Sequence, residues 1–129
     1  MSEPSDRLDR LAHDVIGAAI EVHRVLGAGF LEKVYEEALS IELALRGVRH
    51  EKQAHVALSY KGEQVGEARL DLLVDGNLIV ELKAVEALHP IHHAQMLNYL
   101  KATGFTLGLL INFNVEVLKD GGIKRIVLS

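Results

Sequence analysis

Three charged side chains stand inside stretches that otherwise read as buried strand. Asp71 lies in Ala68-Arg69-Leu70-Asp71-Leu72-Leu73-Val74, and Glu81 and Lys83 lie in Leu78-Ile79-Val80-Glu81-Leu82-Lys83. Taking a charge out of water is costly unless it is paired or holds a metal. Two carboxylates with a nearby lysine suit phosphoryl chemistry assisted by a divalent cation. Strand side chains alternate, so Glu81 and Lys83 share a face. Asp71 joins that face only if the turn is three residues long, 75–77, with Val74 paired to Leu78. Asp71 then faces Glu81, and Arg69 faces Lys83. Such a loop needs a left-handed residue, which Gly76 or Asn77 can supply. Facing carboxylates repel unless a cation lies between them, and their oxygens suit Mg²⁺ or Mn²⁺. Lys83 can hold or activate the attacking water and offset transition-state charge. The competing reading is a structural ion pair in which Lys83 neutralises Asp71 or Glu81.

Those residues need a scaffold, and the hydrophobic spacing supplies one. Ser5 or Asp6 can cap a first helix, along which Leu8, Leu11, Ala12, Val15, Ile16, Ala19, Ile20, His23 and Leu26 recur at helical spacing. His13 and His23 on that helix read as packed or half-exposed side chains. The glycines of Gly27-Ala28-Gly29 end it. A second helix is predicted over 30–46, stopping at Gly47. Strands follow over 48–60, 65–74 and 78–84. Pro90 opens a third helix over 90–103, and Gly104 closes it. Residues 105–113 form a nearly continuous apolar strand of the kind covered on both faces. A turn at 120–122 leads to a last strand, 123–128. The order is αα-βββ-α-ββ, an α/β fold. The third and fourth strands can pair in parallel through the intervening helix, which gives a central mixed sheet flanked by helices.

Further polar residues fall on the helices. Glu32 and Tyr35 are three apart on one flank of the second helix. Glu32 also suits that helix's first turn as a simple dipole partner. Gln95 and Tyr99 are four apart on the third helix, and Gln95 can orient a water or a phosphate. His89, His92 and His93 cluster at that helix's start, without the framing of a zinc motif.

Composition narrows the classes. The 129 residues suit one domain, expected over 7–129 behind a flexible 1–6. With no cysteine, disulfides and thiolate metal sites are excluded. The absence of tryptophan argues against a module that grips single strands by stacking. The net charge of −4 argues against a tight, non-specific nucleic-acid binder. No secretory leader or membrane-length apolar run is read, so the expectation is a cytoplasmic protein without membrane partners. The apolar first helix is a candidate interface for a homodimer.

The motifs together resemble the GxxExxY family of the PD-(D/E)XK nuclease superfamily. Gly29-Phe30-Leu31-Glu32-Lys33-Val34-Tyr35 carries the Gly-x-x-Glu-x-x-Tyr signature. Arg69-Leu70-Asp71, Val80-Glu81-Leu82-Lys83, Gln95-Met96-Leu97-Asn98-Tyr99-Leu100 and Gly108-Leu109-Leu110-Ile111-Asn112-Phe113 follow in register. The likeness spans about residues 8–128 and implies a restriction-endonuclease-like fold. It implies Asp71, Glu81 and Lys83 as the catalytic core, with Glu32 as a further metal-holding carboxylate. Gln95 and Tyr99 look like the Gln-x-x-x-Tyr motif of the exonuclease-type branch, with Gln95 catalytic. Tyr99, Tyr35 and Arg69 are assigned to substrate positioning. The chain departs at Ala28, where relatives carry proline, and at Leu70, where the superfamily's name has its proline. The implied activity is Mg²⁺- or Mn²⁺-dependent hydrolysis of nucleic acid, DNA ahead of RNA. The alternatives are a binding module that keeps a nuclease fold without turnover, and a structural protein with an internal ion-pair network.

Overall fold

The computed structural model describes residues 4–128. Three helices and five strands follow the predicted order: α1 (Asp6–Leu26), α2 (Glu32–Leu45), β1 (His50–Tyr60), β2 (Glu63–Val74), β3 (Leu78–Lys83), α3 (Pro90–Thr103), β4 (Leu107–Asn112) and β5 (Ile123–Val127). The sheet runs β1-β2-β3-β4-β5. Neighbours are antiparallel except β3 and β4, which are parallel. The mixed sheet is therefore as the pattern predicts. Residues 1–3 of the expected flexible start lie outside the described residues. Ser5 and Asp6 are instead built into α1: the Ser5 hydroxyl accepts the Leu8 amide at 3.1 Å, satisfying a donor that a helix end otherwise leaves orphaned.

Each face of the sheet buries its own core. On one face α1 and α2 cover Leu72, Val74, Leu78, Val80, Leu82, Leu109 and Ile111. On the other, α3 covers Ile79, Leu110 and Ile126 together with Ala54, Val56 and Leu70. All six residues of β4 are buried, as expected of a central parallel strand. Gly108 lets α3 approach it closely, since a Cβ there would lie 2.3 Å from the Met96 sulfur. The apolar stripe of α1 is consumed by this core, with Ala12, Val15, Ala18, Ala19 and Val22 buried. His23 is packed as expected, its Nε2 2.8 Å from the Val115 carbonyl.

The β2–β3 turn sets the register. Val74 pairs with Leu78 and Leu72 with Val80, the three-residue solution. The left-handed residues are Asp75 (φ 50°) and Gly76 (φ 69°), so Asn77 is not needed for that role. Asp75 adopts this conformation while Arg49 and Arg7 hold its carboxylate, Arg49 at 2.7 Å. Those arginines also keep its carboxyl below the usual range.

A second irregularity lies one strand away. Lys52 pairs with Leu72 and Ala54 with Leu70, which places Gln53 level with Asp71, yet these two form no ladder pair. Gln53 has φ 54°, a left-handed conformation costing a non-glycine residue about 1–3 kcal/mol. Leu70 and Leu72, of equal parity, belong to opposite cores. The β1–β2 hairpin thus changes face at Gln53 and Asp71.

Candidate active site

Beyond Leu72 and Val80 the β2–β3 ladder is continued by side chains. The Asp71 backbone amide donates to the Glu81 carboxylate at 2.7 Å. The Leu82 backbone amide donates to the Asp71 carboxylate at 2.8 Å. Each carboxylate stands where a strand carbonyl would otherwise accept. Asp71 and Glu81 are thereby clasped at the fork where β2 swings away from β3, as the register requires. Arg69 follows the swing: it pairs with His55 of β1 and is exposed. It does not stand opposite Lys83 in the ladder, because the ladder has already opened.

The pair is electrostatically strained. Glu81 is only 7 % exposed, and its carboxyl is pushed up to about 8, first by burial and then by the negative charge of Asp71. Burial also pushes Asp71 up, and Glu36 and Glu32 add to the rise. Lys83 acts on both in the opposite sense without cancelling the shifts. Among the described residues the Lys83 ammonium forms no ion pair with either carboxylate. Lys83 is itself fixed by its backbone, whose carbonyl accepts the Phe113 amide at 2.9 Å. Just beyond it, the Asn112 side chain clasps both backbone groups of Val85, at 3.1 and 2.9 Å.

The surrounding helices bring some of the expected residues and not others. Tyr99 of α3 packs on the core beneath that helix; burial raises its phenol, and the charges of Glu81 and Asp71 raise it further. Gln95 lies one turn earlier on α3 and is exposed. Glu32, the first residue of α2, is exposed at the rim, within electrostatic reach of both carboxylates. Tyr35 is corrected from a substrate contact to a packing residue. It is fully buried and stacks on Phe113 at 4.4 Å. Its hydroxyl donates to the Gly27 carbonyl at 2.6 Å and accepts the Phe30 amide at 3.2 Å, tying the α1–α2 loop.

A model of the PD-(D/E)XK nuclease superfamily matches residues 9–126, nearly the whole chain. The chain belongs to that superfamily. Among solved structures, the fold is similar to LHK-Exo, an alkaline exonuclease from Laribacter hongkongensis, with a TM-score of 0.53 and 15% identity. That match covers all of this chain and 73% of the exonuclease chain, and at such identity it shows the fold. No curated protein sequence matches the chain. In this superfamily the residue types at the fork correspond to the Asp and Glu-x-Lys of its name.

The donor set fits a divalent cation in part. Asp71 and Glu81 each commit one oxygen to a backbone amide. No buried polar side-chain atom among the described residues lacks a partner, so their second oxygens open to solvent. Two carboxylate oxygens plus water and phosphate are enough for Mg²⁺. Among the described residues no three acidic or histidine groups converge on one point. The expected third ligand, Glu32, is exposed and does not join Asp71 and Glu81 in such a group. Surface hollows lie around Arg49, Asp75 and Gly76 and around His89, His93 and Lys124.

One residue near the site escaped the sequence reading, and one that it named takes a definite place. Glu36, one position past the signature tyrosine, is buried and accepts the Gln53 amide at 2.8 Å. Its place on the buried side of α2 was readable from the helical period, since Leu39 and Leu43 lie there too. His92 accepts the His89 backbone amide on Nδ1 at 3.1 Å. Its imidazole is held low by burial and then by the charge of Lys83.

Proposed function

We propose that this chain is a metal-dependent phosphodiesterase that hydrolyses DNA, and RNA less readily, as a member of the GxxExxY group. The observation that carries this reading is the Asp71–Glu81 clasp, two desolvated carboxylates beside Lys83 in a chain of a nuclease superfamily. Asp71 and Glu81 would hold Mg²⁺ or Mn²⁺, with Glu32 acting through its charge or through water. When bound, the cation polarises a phosphate oxygen and offsets charge that develops on the phosphoryl group.

The chain's own groups do the rest. The backbone amides of Asp71 and Leu82 fix the carboxylates, so little reorganisation is needed as charge develops. Lys83 presents an ammonium beside Glu81, where it orients the attacking water and stabilises the added negative charge. Tyr99 borders the carboxylates, and Gln95 on the same helix face binds a strand oxygen. Exposed Arg69 on the hairpin contacts a neighbouring phosphate. No helix among the described residues is long and apolar enough to cross a membrane.

A cleavage panel tests the reading: linear, circular, single-stranded and branched DNA, and RNA, each with Mg²⁺, Mn²⁺ or chelator. Metal-dependent cleavage of at least one DNA form is expected. A binding module without turnover would retain nucleic acid and cut none of them.

A further inference from the structure

The part-buried Gln53–Glu36 contact is explained neither by the core nor by the catalytic groups named above. Gln53 comes from β1 and Glu36 from α2, and their side chains meet at 2.8 Å. Glu36 is 5% exposed, and its other oxygen lies 3.4 Å from the Lys33 ammonium. Gln53 stands level with Asp71, between the pairs Lys52–Leu72 and Ala54–Leu70. At this level the backbone turns left-handed and the hairpin passes from one core to the other. Asp71 leaves the ladder here and its carboxylate meets the Leu82 amide. Non-glycine residues hold a left-handed backbone only where the surroundings over-determine it. The surroundings here are the Glu36 carboxylate.

We propose that Gln53 and Glu36 form a positioning pair that anchors the hairpin bend to α2 and so holds the Asp71 carboxylate on the Leu82 amide. The pair touches no substrate. It acts through Asp71, and for catalysis it rests on the reading of Asp71 and Glu81 as the metal-holding pair. Glu36 also keeps negative charge near Asp71, which favours a cation at the fork.

Two variants of the full chain test this. Gln53→Gly keeps the left-handed backbone without strain and removes the amide. Gln53→Asn tolerates the same conformation but is too short to reach Glu36. Both are expected to melt within a few degrees of the wild type. Hydrogen exchange of the Asp71 and Leu82 amides should speed up by about tenfold, while the amides of β4 keep their protection. Given Mg²⁺-dependent cleavage by the wild type, kcat should fall by at least about tenfold with KM held. Glu36→Gln, which keeps an acceptor for Gln53, should restore amide protection relative to Glu36→Ala. Unchanged exchange at Asp71 and Leu82 in both Gln53 variants would overturn the proposal. Because exchange is read without substrate, a wild type that cuts nothing would count against the proposed activity and leave this result to decide the positioning role alone.

Discussion

Asp71 and Glu81 hold each other's strands: the amide of Asp71 binds the Glu81 carboxylate, and the amide next to Glu81, that of Leu82, binds the Asp71 carboxylate. The exchange replaces one rung of a β-ladder with two side chains. It keeps both carboxylates in place although burial drives each toward its neutral form, with the charge of Asp71 adding to the rise at Glu81 and those of Glu36 and Glu32 adding to it at Asp71.

The burial of Glu81, reinforced by the charge of Asp71, makes stability depend on pH. Glu81 has a folded pKa of about 8 against an ordinary 4.5. Between these values the folded chain binds a proton that the unfolded chain has lost, so stability falls as pH rises through this window. Thermal unfolding without divalent ions should show Tm declining from about pH 5 to about pH 8. Glu81→Gln should flatten the decline, and Mg²⁺ at pH 8 should raise the wild-type Tm by mass action. A flat profile that Glu81→Gln leaves unmoved would contradict the raised carboxyl.

Tyr35→Phe removes the hydroxyl that ties the Gly27 carbonyl to the Phe30 amide. The loss should cost about 1–3 kcal/mol in denaturant unfolding, with the kcat of the folded enzyme nearly unchanged. A substrate-contacting tyrosine would show the reverse, a kinetic defect at full stability.

Gly108→Ala places a methyl group against Met96. Lifting α3 off β4 should destabilise the chain by about 1–3 kcal/mol and weaken cleavage, because Tyr99 and Gln95 ride on that helix. Met96→Ala in the Gly108→Ala background should recover part of the kinetic loss by making room.

Gln95→Ala and Tyr99→Phe should raise KM for nucleic acid by several-fold, leaving metal affinity in calorimetry unchanged. A loss of metal affinity instead would place these side chains on the cation.

The strand register was legible because its signals are local. Three charges in apolar strands and a short Asp-Gly-Asn turn allow a register with Asp71 beside Glu81 if the loop has three residues, and the Val74–Leu78 pair is that loop. The parallel β3–β4 pairing followed from a helix lying between two apolar strands. What was not legible is non-local. The face change occurs at Gln53, whose side chain meets a carboxylate 17 residues away, and nothing in a strand pattern marks a left-handed glutamine. Arg69 was misplaced for the same reason, since a straight ladder was assumed past Asp71. Tyr35 was read from its motif, whereas its helical position, with Leu39 and Leu43 on the same buried side, already pointed inward.

The central claim is that the Asp71–Glu81 fork with Lys83 cleaves phosphodiesters. The most direct measurement compares Mg²⁺-dependent cleavage of DNA by the wild type, Lys83→Ala and Asp71→Asn, all confirmed as folded by their thermal transitions. The wild type should cut, and each variant should lose at least about a hundredfold in rate. Cleavage that persists at the wild-type rate in both variants would contradict it.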